Sequence, residues 1–303
     1  MKRLICALFS VLAVSGAAAE QAKPLDENLR YNFNLYTWLT AHNAFDTSHE
    51  MFPNQSMTMT QQLDYGVRGL MLDLWEVGEK KSVRLCHGGT CLGEVFATEL
   101  NKTILPFLRA NKNAVITLHL EDYTSRQALA NALAQVPDLA QFTFKPDSWP
   151  SSESQDWPTL EEIIASGQRL LIFTLNNGNS GDFPVGGGVA HVMRSDQGTV
   201  ENYWSLGDTI FTHDRSCKTR WGSVPLDTKS VAWSGKKWAR LFTMNHFHGA
   251  AFRSHSASDN AFNDLSSRVQ DFCAPAAKRN PNYLALDHVD QGDGKAFSEA
   301  FSP

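Results

Sequence analysis

No excess of basic residues and no Lys/Arg-rich run occurs in this 303-residue chain. Lys and Arg number 27 against 32 Asp and Glu, a net charge of −5. Nucleic-acid binding depends on neutralising phosphates with cationic side chains, so nucleic acid is not an expected partner. The dinucleotide turn G-x-G-x-x-G is also missing, which removes the main support for a doubly wound open sheet. There is no internal repeat. Charged residues are only 19% and hydrophobic residues 42%, a balance that excludes a disordered or collagen-like chain. No apolar stretch approaches the ~20 residues that span a bilayer.

Cysteine is scarce, with five residues in all. Cys6 lies in an amino-terminal segment with the plan of a signal peptide: a basic head at Lys2 and Arg3, an apolar run over 4–14, and Ala17-Ala18-Ala19 before Glu20. The expectation is a cleaved leader over 1–19 and a secreted or periplasmic chain over 20–303. Without the leader the charge becomes 25 against 32, or −7. Four cysteines in an exported chain suggest two disulfides. Cys86 and Cys91 flank a Gly-Gly turn, where a local bridge is expected, which leaves Cys217 with Cys273. A C-x4-C followed by two isolated cysteines is not a zinc pattern.

Short apolar runs recur at 38–42, 69–75, 83–87, 114–120, 169–175, 240–245 and 283–287. They are continuously apolar rather than alternating, as in parallel strands buried on both faces. Helical patterns at 56–65, 94–111, 125–134, 160–166 and 258–273 lie among them. Strand–helix alternation predicts βαβ units and an α/β fold, a single TIM-type (β/α) barrel, irregular or incomplete. The Gly- and Asn-rich stretch 176–188 reads as loop, and 147–158 as a connector. Trp149, Trp157, Trp204, Trp221 and Trp233 fall in predicted loops, where staples are expected and contact with a lipid interface is the alternative.

Polar groups crowd the ends of the runs: His42-Asn43, Asp73, His87, Glu121-Asp122, Asn245-His246 and Asp287-His288. In a parallel barrel such ends converge on one face, where active sites sit. Two imidazoles and several carboxylates would share a cleft.

The ordered motifs Thr40-Ala41-His42-Asn43, 61–73, Leu85-Cys86-His87-Gly88, 116–122, 168–174, Asn245-His246-Phe247 and 282–287 span most of the chain. Together they resemble the X domain of phosphatidylinositol-specific phospholipase C, and most of all its secreted relatives with cysteines on both sides of the second histidine. The resemblance implies an incomplete TIM-type barrel and cleavage of a phosphodiester in an inositol phospholipid. It assigns His42 as base, His87 as acid and Asp287 as the carboxylate behind His42. Imidazoles suit both roles because they titrate near neutrality.

Metal-independent members of that family carry Arg and Lys where this chain has Asp73 and Glu121, and Asp where it has Asn43. Calcium-dependent members carry acids and Asn there. Two carboxylates beside a phosphate repel it unless a cation intervenes, so Ca2+ held by Asn43, Asp73 and Glu121 is expected. Met71 departs from the calcium pattern, which has Glu, and implies weaker binding. Expected partners are a phospholipid or soluble phosphodiester substrate, with transient membrane contact and a monomeric chain. A glycerophosphodiesterase or sphingomyelinase-D-like barrel, and a non-catalytic head-group binder on the same fold, are the competing readings.

Overall fold

In the computed structural model, residues 29–303 are described apart from 48–51, 89, 92, 150–155, 208–210 and 221–223. The predicted leader and Trp221 lie outside the described residues. The strand β1 (Trp38–Ala41) sits at the centre of a large sheet, flanked by β12 (Tyr283–Leu286) and β2 (Gly69–Val77). Both pairings are parallel. Beyond β2 lie β4 (Ile116–Asp122) and β5 (Leu170–Thr174); beyond β12 lie β11 (Leu241–His246) and β8 (Thr199–Glu201). All of these ladders are parallel too. This is the α/β architecture the apolar runs predict.

Among the described residues no strand pairing joins β8 to the β5 side, so the ladder stays open. The chain itself crosses the gap. β7 (Gly188–Arg194) pairs with the end of β5, the single turn Ser195–Gly198 follows, and β8 begins at once. Gly198 is required there, because a Cβ would come within 2.4 Å of the Phe173 ring. At the other side Gly69 lets β2 start against β1, since a Cβ would meet Thr40 Oγ1 at 2.2 Å.

Two expectations are corrected. Residues 176–188 are not merely loop: after a short turn at Asn177–Asn179, β6 (Gly181–Val185) forms an antiparallel hairpin with β7. The pattern was hidden because Gly181 and Pro184 are weak strand formers, and the pairing with β7 outweighs their propensity. Secondly, β3 (Ser82–Leu85) is antiparallel to β2 rather than a barrel strand. β2 overshoots the rim and β3 returns, placing Leu85 beside Leu74. The predicted helix 94–111 is Phe96–Glu99, a π turn Leu100–Ile104 and Leu105–Ala110; 258–273 is similarly broken into Phe262–Ser267 and a π turn Arg268–Cys273. A two-stranded hairpin, β9 (Ser230–Trp233) with β10 (Lys236–Ala239), completes the strands among the described residues. None of the helices among the described residues is long and apolar enough to cross a membrane.

Alternation along each strand divides the core in two. Leu39, Leu70, Leu72, Leu118, Met244 and Leu284 face the helical layer. Trp38, Phe173, Leu241 and Tyr283 face inward and join Phe33, Phe144 and Trp157, which close the amino-terminal end. Trp157 is thus a buried staple, its indole nitrogen donating to Ala239 O at 2.8 Å.

Both disulfides form as expected, Cys86–Cys91 and Cys217–Cys273, closing loops of sequence separation 5 and 56. Loop-closure entropy grows with separation, so the two contribute unequally, ~2 and ~4 kcal/mol respectively. Replacing Cys217 and Cys273 by Ser should therefore lower unfolding free energy about twice as much as replacing Cys86 and Cys91. Denaturant titrations that gave equal losses would contradict this ordering.

Candidate active site

The inward set of side chains becomes polar at the carboxyl end of the strands. One cavity of about 420 Å³ opens there, lined by His42, Asp73, His87, Glu121 and others named below. Alternation dictates who enters. On β2 the inward residues at the cavity are Met71, Asp73 and Trp75; on β4 they are His119 and Glu121. Asp73 and Glu121 are direct neighbours in the β2–β4 register. Asp122 has the opposite parity. Its carboxylate accepts from Thr124 N at 2.8 Å and Asn179 Nδ2 at 2.7 Å, so it fastens a turn outside the cavity.

His42 follows β1, and Asp287 follows β12. The parallel register brings them level, with His42 Nδ1 2.8 Å from Asp287 Oδ1. A carboxylate acceptor places the proton on Nδ1 and leaves Nε2 as the basic nitrogen. Asn54 Nδ2 donates to the same Asp287 oxygen at 2.9 Å, and Gln55 Nε2 donates to the His42 carbonyl at 2.7 Å. The imidazole also lies flat on the Phe247 ring, centroids 3.6 Å apart and planes within 6°. It is held on both an edge and a face.

His87 has a counterpart that the sequence did not disclose. Its Nδ1 lies 3.2 Å from Asp46 Oδ2, and Asp46 is 1% exposed. The β2–β3 hairpin delivers His87 to the rim, with Cys86 N donating to Asp73 O at 3.1 Å. Asn43 lines the cavity in a left-handed conformation, φ 40°, which Asn tolerates better than most residues. Its Nδ2 donates to Asn54 Oδ1 at 3.2 Å, leaving its amide oxygen for the cavity.

Arg220 is the basic residue that sequence reasoning missed. It reaches in from the segment after β8, with Nη2 3.0 Å from Glu121 Oε2 and Nη1 2.8 Å from Glu201 Oε1. Glu201 in turn accepts from Asn245 Nδ2 at 2.7 Å. A lone Arg in a loop gives no sequence signal, and Glu201 lies on a three-residue strand too short to read; Asn245, expected from the strand end, does enter the cavity. His246, with the opposite parity, leaves the cavity. Its ring bonds to Asp259 O at 2.9 Å and Arg268 Nη1 at 3.0 Å, and burial, with Arg268 beside it, depresses its pKa to about 3. His119 sits deeper, edge-on to Tyr283, and burial likewise lowers it to about 3.

The two acids differ. Burial pushes Glu121 upward, but the Tyr123 hydroxyl and Arg220 outweigh it and hold it below the usual range. Asp73 is raised to about 7, first by burial and then by the Glu121 charge. A raised carboxylate stabilises the fold least when ionised. The cost is absent below about pH 4, grows as pH rises toward 7 and is constant above. In metal-free buffer Asp73→Asn should therefore match the parent near pH 4 and exceed it in stability at pH 8. The shift alone would give ~4 kcal/mol, reduced by water in the cavity to on the order of 2 kcal/mol. A pH-independent difference in thermal melting would refute this.

Residues 30–185 match the PI-PLC X 1 family model. A PI-PLC X domain-containing protein of Arabidopsis thaliana is 31% identical over 281 residues, covering 86% of this chain and 60% of that protein. The chain thus spans under two thirds of that relative's length. PI-PLC X domain-containing protein 1 of Arthroderma benhamiae is 24% identical over 273 residues, covering 86% of this chain and 82% of that one. The phosphatidylinositol-specific phospholipase C of Listeria monocytogenes has a similar fold, with a TM-score of 0.59 at 14% identity, over 92% of this chain and 96% of that one.

Proposed function

Since the chain belongs to the PI-PLC X domain family, we propose that it is an exported phosphodiesterase that cleaves an inositol phospholipid between phosphate and glycerol. The observation that carries this reading is the pair His42 and His87 on one cavity, each backed by its own buried carboxylate, Asp287 and Asp46. A head-group binder has no use for two oriented imidazoles. His42 Nε2 takes the proton of the inositol 2-hydroxyl as that oxygen attacks phosphorus. The bond from phosphorus to the glycerol oxygen breaks, and His87 gives its proton to that oxygen. The products are a cyclic inositol phosphate and diacylglycerol.

The donors fit a hard cation: among the described residues Asp73 has no ion pair, Glu121 neighbours it in register, and the Asn43 amide oxygen accepts no hydrogen bond. When bound by these three, Ca2+ would offset charge on the phosphoryl oxygens. Tyr123 and Trp204, both exposed, stand at the cavity mouth, where a lipid's glycerol end would meet them. The disulfides support an oxidising compartment. The experiment is a product assay on phosphatidylinositol, glycerophosphoinositol and other phospholipids, with and without Ca2+. Cyclic inositol phosphate from phosphatidylinositol supports the reading; glycerol phosphate, or no turnover of any phosphodiester, overturns it.

A further inference from the structure

A second cluster of ionisable groups takes no part in the proposed chemistry. His213, His248 and Asp259 converge where the segment after β8 meets the chain leaving β11 and the helix Arg253–Asp259, each offering a ligand atom within 4.8 Å of the others. His213 Nε2 lies 2.9 Å from Asp259 Oδ1, and His248 Nε2 lies 3.2 Å from Asp259 Oδ2. The two rings stand nearly perpendicular, at 84°, with centroids 4.9 Å apart. Both therefore present the same nitrogen to one carboxylate from different directions.

Hydrogen bonding alone does not account for this arrangement. The His248 side chain is 3% exposed and faces the Asp259 carboxylate and the Gly207 backbone, yet the geometry of neither contact is that of a well-formed hydrogen bond. Buried polar atoms left in that condition call for an explanation, an ion among them. The frame is also fixed at Asp259 and beyond His213. His246 Nε2 donates to the Asp259 carbonyl at 2.9 Å, which ties that residue to β11. Arg215 pairs with Asp264, and Cys217 is bonded to Cys273, so the segment carrying His213 is fastened just beyond it. The His213 side chain is 35% exposed, which supplies a path of entry.

We propose that His213, His248 and Asp259 bind one Zn2+ ion, which pins the segment carrying His213 and Arg220 beside the cavity. Two imidazoles and one carboxylate are a borderline-soft donor set that favours Zn2+ over Ca2+, with a fourth position left for water. The site differs in donors from the oxygen-only set at Asp73, although His248 borders the same cavity.

The test uses metal-stripped protein titrated with ZnCl2 by calorimetry, and separately with Co2+, whose visible ligand-field bands report nitrogen ligands directly. One ion per chain is expected, with a rise in melting temperature. His213→Ala, at a half-exposed position, should weaken binding by more than the ~10–100-fold typical of a merely supporting residue. It should abolish the cobalt bands and the thermal shift. His248→Ala should do the same, and Asp73→Asn should change none of these readings. Absence of saturable Zn2+ binding, or cobalt bands that persist in His213→Ala, would overturn the assignment even if His248→Ala proved unable to fold.

Discussion

His42→Ala should lower turnover of phosphatidylinositol by ~10²–10⁴, the usual weight of a positioned base. The fold should survive, because His42 lies at the rim with a 20% exposed side chain and anchors no part of the apolar core. His87→Ala should fall by a similar factor on the natural substrate, but regain rate when the leaving group is already acidic, because such a group needs no proton. His42→Ala should show no such rescue. The asymmetry matters more than either loss, because both histidines have the same local structure, an imidazole on a buried carboxylate. Geometry therefore does not tell base from acid, and the assignment rests on the family resemblance. Kinetics with a phenolic leaving group would decide it: rescue of His42→Ala, with none for His87→Ala, would exchange the two roles.

The legible part of the site follows from two elementary rules. Apolar runs of strand length marked the barrel strands, and convergence of parallel strand ends placed His42, Asp73, Glu121 and Asp287 together. Applied further, alternation would have sorted the neighbours as well. Given Glu121 inward, Asp122 must face out; given Asn245 inward, His246 must face out, and the structure places both so. What stayed hidden depends on contacts distant in sequence. Asp46 meets His87 across 41 residues and Arg220 meets Glu121 across 99, and neither lies in a periodic segment. His87 reached the site by a route different from the one expected: an antiparallel return beside β2, for which a run of five apolar-flanked residues gives no direction. Strand polarity is a property of the connection, not of the strand.

Arg220 bears most directly on the metal. The calcium expectation began from the lack of a cation where metal-independent relatives carry Arg and Lys, yet a guanidinium does enter this cavity from the segment after β8. It is already paired with Glu121 and Glu201, and among the described residues Asp73 has no ion pair of its own, so once ionised Asp73 adds negative charge that no direct cation contact offsets. On that imbalance, chelator should lower turnover by ~10² or more, as losing an electrostatic stabiliser does. Restoration is expected at about 10⁻⁴–10⁻³ M Ca2+, weak because Met71 supplies no carboxylate. Asp73→Asn should then raise the Ca2+ requirement. Arg220→Met should lower it, because Glu121 is released from its ion pair to the metal. If Arg220 itself stabilises the phosphoryl charge, the result inverts: chelator has no effect, and Arg220→Met loses ~10²–10³ in turnover at every Ca2+ concentration. Because Arg220→Met leaves two partly buried carboxylates without their shared cation, its melting temperature must be measured beside its rate, and Arg220→Lys separates lost charge from lost structure. A rate that follows Ca2+ in the parent and needs less of it in Arg220→Met would identify the metal, and not the guanidinium, as the cation opposite the phosphate.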